Sequence, residues 1–394
     1  MSRMSQKFNT AYHRLVASQL IGEAILIYPL YSIMFSERSN ISAAGVGVLL
    51  AGWQITQIIA EVPTGILADR FSKKYSIVAG RLLKALCFVL WFSIPSFGGY
   101  LAGFVLWGIG EAFISGASQA YLYELNGGKK DSNYLKSYSR LKSLEMLTYT
   151  VTYFVTFLIG PQYQLLVALS IVAAFVSSLF AFSLPTSRVI ADSTYKQIIS
   201  GAKLNLKNSL VLRRKFLEGI VIAGTLGMLL ELIVVNYRDY GASSKVVPLL
   251  ISISALVSAV SFWLLHYYEK YFERNILALL FIFLTVFVVM FNMSLWWQIF
   301  GLFFVARYMR VLAVVQEASL MHDISPNSRA TVLSSYSLIS KLLSAVQIFL
   351  VGYLAINNNI NLPTFWFVVV SLLLFAVLRV RDRFIAQKQS AVRV

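Results

Sequence analysis

Apolar stretches of about 20 residues recur along the chain, and short polar segments separate them. Roughly 20 helical residues are what it takes to cross about 30 Å of hydrocarbon. The stretches lie near 12–35, 42–64, 75–94, 98–123, 139–160 and 163–184, then near 214–236, 247–266, 275–293, 295–319, 328–353 and 363–380. A longer polar segment, PTSRVIADSTYKQIISGAKLNLKNSLVL, divides them into two sets of six. The pattern predicts an all-α membrane protein with twelve transmembrane helices in two pseudo-symmetric six-helix halves. The expected divisions are residues 1–185, a cytoplasmic linker at 186–212, and residues 213–394.

Basic residues assign an orientation to this series. With the N-terminus inside, the inner segments collect Arg3, Lys7 and Arg14, then Arg70, Lys73 and Lys74, then five cations from Lys129 to Lys142. The middle loop and the tail are basic as well, whereas the outer loops hold Arg38, Arg238 and Lys245. The positive-inside rule then puts both termini in the cytoplasm of a cell-membrane protein. The N-terminal MSRMSQKFNTAYHRL leads into a full-length apolar helix without a small-residue cleavage site, so it reads as retained.

Composition sharpens the class. The chain is 58% hydrophobic and 13% charged, with a mean hydropathy of +0.71, well above a soluble domain. Its net charge of +17 is explained by cations flanking membrane helices, so no nucleic-acid partner is expected. The single cysteine, Cys87, and three scattered histidines supply neither a disulfide framework nor a metal site. A phosphate-binding G-x-x-x-x-G-K-S/T loop is lacking, which leaves an ion gradient as the energy source.

The segment AEVPTGILADRFSKKYS, between the second and third stretches, sets Gly65, Asp69, Arg70, Ser72, Lys73 and Lys74 at the spacing G-x-x-x-D-R-x-S-K-K. This resembles the signature of the major facilitator superfamily, with Ser72 where the family usually has glycine. SGASQAYLYE at 115–124 and RATVLSSYSLISKL at 329–342 are similar to the prokaryotic drug and metabolite exporter branch. The resemblance implies a cytoplasmic gating latch in which Gly65 permits close helix approach, Pro63 loosens the helix end, and Asp69 meets the start of span eleven after Pro326. It also implies a central cavity lined by spans one, four, seven and ten. The chain departs from that branch at Ser118 and Gln119, where an acid is common, and near Trp107, where an arginine is common. The coupling residues of span four are therefore not carried over.

Charges inside the apolar stretches are the candidate chemistry. Glu23, Glu111, Glu145, Glu231, Arg307, Arg310 and Lys341 all lie within them. Each would cost about 2.5–3.5 kcal/mol facing lipid, so they are expected to face the interior or one another. Arg307, Arg310, Val314 and Glu317 share one helix face; Gln54, Gln57 and Glu61 form a second stripe, and Ser337, Lys341 and Ser344 a third. The functional expectation is a proton carried by Glu111 first or Glu23 second. The plainer alternative is a permanent pair of either carboxylate with Arg307 or Arg310.

Tyr28, Tyr31, Trp53, Trp107, Phe113, Tyr237 and Phe304 offer an aromatic lining for a greasy cargo. The leading expectation is a monomeric exporter of amphipathic small molecules, proton-coupled and without a cofactor. Proton-driven uptake of an organic anion is the second reading, motivated by Arg307, Arg310 and Lys341. A membrane enzyme or receptor-like protein is a third, disfavoured by loops without an acid–base cluster.

Overall fold

A computed structural model describes residues 3–70, 72–125, 132–186, 210–239, 241–323, 329–355 and 359–391. The helices are α1 (Arg3–Glu23), α2 (Tyr31–Ser39), α3 (Ala43–Arg70), α4 (Lys73–Ser93), α5 (Phe97–Leu125), α6 (Ser132–Ile159) and α7 (Tyr163–Phe182). After the central segment come α8 (Leu210–Asp239), α9 (Val247–Phe291), α10 (Leu295–Asp323), α11 (Arg329–Tyr353) and α12 (Asn361–Ala391). The chain forms two compact units, Met1–Asp192 with Ala242–Val260, and Ser193–Gly241 with Ser261–Val394. The first unit thus takes in a stretch that lies beyond the central polar segment, and Ser252 Oγ there donates to the Thr150 carbonyl of α6 at 2.8 Å.

Two departures from the expected spans have clear causes. The first span is two helices, α1 and α2, parted by a non-helical Ala24–Leu30. Pro29 lacks an N–H and disfavours helical geometry at Tyr28, so the helix cannot run through. Backbone freed in this way needs a partner where water is absent. Here the Ile27 N–H donates to Ser170 Oγ of α7 at 3.1 Å, and Thr156 Oγ1 of α6 donates to the Leu26 carbonyl at 2.8 Å. At the second departure, the expected gap between 266 and 275 is helical. The run α9 is continuous through YYEKYFERN and kinks at Asn275 (φ −104°, ψ 15°). That stretch contains no glycine or proline to end a helix.

Seven stretches among the described residues are helices long and apolar enough to cross a membrane: Ala43–Glu61, Lys73–Ser93, Phe97–Ser115, Tyr163–Phe182, Leu212–Tyr237, Ser335–Tyr353 and Asn361–Val380. The remaining spans are broken or carry the charges that matter below. Helix α7 shows how such elements pack without a hydrophobic driving force. Its small residues Ser170, Ala174, Ser177 and Ala181 are buried, while Leu165, Leu169, Val172, Phe175 and Leu179 face outward. Ser177 and Ser18 of α1 exchange hydroxyl-to-carbonyl bonds at 2.7 and 3.0 Å.

The closest approach in the first unit is between α4 and α5. A Cβ on Gly80 would stand 2.4 Å from the Gly110 carbonyl oxygen, and one on Gly110 would stand 2.7 Å from that of Gly80. Only glycine lets the two backbones cross so tightly. In the second unit Tyr336 of α11 donates to the Gly219 carbonyl of α8 at 3.1 Å and belongs to a core with Leu212, Phe216, Ile220 and Leu320.

Candidate functional site: a charge cluster at the broken helix

Helix α1 ends at Glu23, just before the break, and three neighbouring helices converge there. Gln19 and Glu23 stand at i, i+4 on one face. Arg81 of α4 reaches both: one guanidinium nitrogen donates to Glu23 Oε1 at 3.2 Å and the other to Gln19 Oε1. Tyr149 of α6 donates its hydroxyl to Glu23 Oε2 at 2.8 Å. Gly22 makes the arrangement possible, because a Cβ there would lie 2.1 Å from an Arg81 guanidinium nitrogen. The guanidinium thus covers the last turn of α1, where a cation is favoured by the helix dipole.

One turn along α4, Lys84 adds a second cation. Its Nζ lies 3.6 Å from Glu23 Oε1 and 3.8 Å from Glu111 Oε2 of α5. The side chains of Arg81 and Lys84 are wholly buried, Glu23 is 14% exposed and Glu111 is 27% exposed. Two cations and two carboxylates therefore balance in one enclosed group, as buried charges must. The close α4–α5 crossing at Gly80 and Gly110 sets Arg81, Lys84 and Glu111 at this level.

Aromatic rings adjoin the charges. Tyr28, in the break, stacks on Trp107 of α5 with centroids 5.1 Å apart and planes 6° from parallel. Trp53 of α3 lies 5.2 Å from Trp107, and Phe88, Trp91 and Phe104 complete the wall around it. The Lys84 ammonium is 5.2 Å from the Tyr28 ring and 5.6 Å from that of Trp107, within cation–π range.

Of the residues expected from sequence, the structure brings Glu23, Glu111 and Trp107 together, with Tyr28, Tyr31 and Trp53 nearby. The carboxylates pair with Arg81 and Lys84 of their own unit. Glu145 instead binds Lys142 at 2.7 Å. In the second unit Arg307 and Arg310 are half-buried on α10, with the Arg307 guanidinium 5.9 Å from the Phe303 ring. Glu231 on α8 and Lys341 on α11 are half-buried, Tyr237 is buried and Phe304 is exposed. Val314 and Glu317, which would complete the α10 stripe, have side chains outside those described.

Sequence reasoning missed Arg81, Lys84, Gln19 and Tyr149. The signal was present: Arg81 and Lys84 stand at i, i+3 inside the apolar run GRLLKALCF. Lys84 places a positive charge from α4 beside Trp107.

The gating motif is seen in part. Asp69 and Arg70 close α3, but their side chains, like Pro326, lie outside the described set. Helix α3 runs seven residues past Pro63 to Arg70, so the proline lies within its last turns. Thr64 Oγ1 donates to the Ala60 carbonyl at 2.8 Å just beyond it. A Cβ on Gly65 would meet nothing within 4 Å among the described residues, and the start of span eleven, its expected neighbour, lies partly outside them. Lys73 is buried at the start of α4, and the Lys74 ammonium sits 4.8 Å from the Phe182 ring of α7.

Residues 16–291 match the family model of the Major Facilitator Superfamily. The chain is 36% identical over 115 residues to "Multidrug resistance protein MdtH" of Enterobacter sp. (strain 638), a match spanning 26% of this chain and 29% of that protein. Its fold resembles the crystal structure of the nucleoside transporter NupG, with a TM-score of 0.71 at 14% identity over 96% of this chain and 99% of that one. It also resembles a D-xylose-proton symporter, with a TM-score of 0.72 at 15% identity over 94% of this chain and 96% of that one. The chain belongs to the Major Facilitator Superfamily and has its twelve-helix fold. It is a multi-pass membrane protein of that family, and its matches span under a third of the length of the first curated relatives.

Proposed function

We propose that the protein is a proton-coupled exporter of amphipathic small molecules in the cell membrane, with both termini cytoplasmic and Glu111 as the proton carrier. The charge cluster at the break in the first span carries this reading. Glu23 is engaged by Arg81, Lys84 and Tyr149, so protonating it would disturb three contacts and leave Arg81 without its carboxylate. Among the described residues Glu111 has one ion-pair partner, Lys84 at 3.8 Å, and it is the more exposed carboxylate, so it can exchange a proton while Glu23 holds the cluster together. The ranking of Glu111 over Glu23 made from sequence is kept on this ground. The rings of Tyr28, Trp107 and Trp53 beside it suit a flat, greasy cargo. The likeness to a multidrug resistance protein supports export.

Everted membrane vesicles with an imposed pH gradient test the reading, with ethidium as probe. Gradient-driven ethidium accumulation is expected in the wild type and expected to vanish in E111Q. Full accumulation in E111Q would remove Glu111 from coupling.

A second reading, proton-driven uptake of an organic anion, is supported by Arg307 and Arg310 on successive turns of α10 and by the fold likeness to a proton symporter. Whether loss of the protein raises or lowers a cell's content of labelled compound separates the two.

A further inference from the structure

We propose that Lys84 is a positioning residue that sets when Glu111 takes up its proton, by shifting its ammonium between Glu111 and Glu23. The inference rests on the reading of Glu111 as proton carrier. Lys84 Nζ is buried and finds no hydrogen-bond acceptor. Its two carboxylates stand at nearly equal range, 3.6 and 3.8 Å, whereas a charge-assisted hydrogen bond closes to about 2.7–2.9 Å. The ammonium therefore rests between two acceptors, and the faces of Tyr28 and Trp107 hold it there.

The two acceptors differ in what else they have. Glu23 keeps Arg81 and Tyr149 whether or not Lys84 approaches. Glu111 has Lys84 as its one ion-pair partner among the described residues. When a proton from the aqueous phase adds to the Glu111 carboxylate, its pull on Lys84 ends and the ammonium closes on Glu23 Oε1. When the proton leaves, the restored negative charge draws the ammonium back. With Glu111 neutral the group carries one net positive charge, but Arg81 and Lys84 both keep Glu23 as ion-pair partner, so neither buried cation is left without a carboxylate.

Charged and titratable groups sit on every element packed against α5. Helix α4 brings Lys84 and Arg81, α1 brings Glu23, the break brings Tyr28, α2 brings Tyr31, Glu37 and Arg38, and α6 brings Tyr149 and Glu145. Helix α3, which crosses α5 closely at Gly108 beside Thr56 and Gln57, carries Glu61 one turn further along.

Infrared titration of the purified protein tests this without a substrate. The carboxylic C=O band that disappears in E111Q reports the Glu111 midpoint. In K84M that midpoint is expected to rise by about one pH unit or more, because a carboxylate that loses its cation holds its proton to higher pH. K84R, which keeps the charge, is expected to restore the wild-type midpoint. A K84M midpoint equal to wild type overturns the inference about Lys84. Absence of any band that E111Q removes overturns the Glu111 reading itself. Should K84M fail to fold, ¹⁵N resonance of the lysine Nζ in the wild-type protein decides: a signal absent from K84R must titrate with the Glu111 band, and a pH-invariant Lys84 signal overturns the inference.

Discussion

Each unit of the molecule holds a buried ionic group, and the two are built differently. In the second unit Glu218 of α8 is fully buried between Arg379 of α12 at 2.9 Å and Arg214, one turn back on α8, at 3.4 Å. A short charge-assisted bond and complete burial make this a tightly held carboxylate. In the first unit four charges share looser contacts, and one member, Glu111, reaches partial exposure at the long end of the ion-pair range. The contrast teaches that burial of charge in a membrane protein has two uses. A short, fully enclosed pair fastens helices together, while a balanced cluster with one loosely held member can change state. Around the fastener, the second unit relies on neutral polar contacts: Thr225 Oγ1 donates to Ser371 Oγ at 2.8 Å, and Gln347 donates to Thr225 at 3.1 Å.

Substitutions put this contrast at risk in a graded way. Glu218→Ala removes the sole carboxylate facing Arg379 and Arg214 in those contacts and is expected to cost about 3–5 kcal/mol, the range for breaking a buried pair. Denaturant unfolding in detergent would show it, and an unchanged midpoint would deny the fastening role. Arg81→Met leaves Glu23 with Lys84 and Tyr149, so a smaller loss, about 3 kcal/mol, is expected in the same assay. If Arg81→Met costs more than Glu218→Ala, the first cluster is the more rigid of the two and the comparison inverts. Gly80→Val forces α4 from the Gly110 carbonyl and is expected to cost about 1–3 kcal/mol of stability. It should also weaken gradient-driven transport, because Lys84 and Glu111 sit across that crossing. Glu111→Gln is expected to change stability by about 1 kcal/mol or less while removing the pH response. Thr225→Val, which deletes a neutral contact, is expected to cost about 0.6 kcal/mol and leave transport intact.

The fold was legible because its main determinants are local. Run length, cation asymmetry and the Gly65 to Lys74 motif each lie within one short window. The break in the first span was written in Pro29, yet the surrounding run AILIYPLYSIM is so apolar that its length outweighed one proline. Arg81 and Lys84 were hidden for a similar reason, as two charges dissolved in the average of a 21-residue helix. Their partners are also remote in the chain: Arg81 and Glu23 are 58 positions apart, Tyr149 and Glu23 126 apart. Periodicity within a helix reports which face is polar but not which distant face meets it. Glu111 and Glu23 were found because a lone acid in an oily run is conspicuous, whereas Arg81 and Lys84 were overlooked as their partners.

The separation of Arg81 from Glu23 also constrains how the protein is made. During synthesis α1 leaves the ribosome well before α4, so the acid at its end reaches the bilayer with no cation to meet it. When α4 follows, it brings two cations at about 2.5–3.5 kcal/mol each if left facing lipid. The contacts that neutralise the end of α1 therefore close only once the fourth helix is in place.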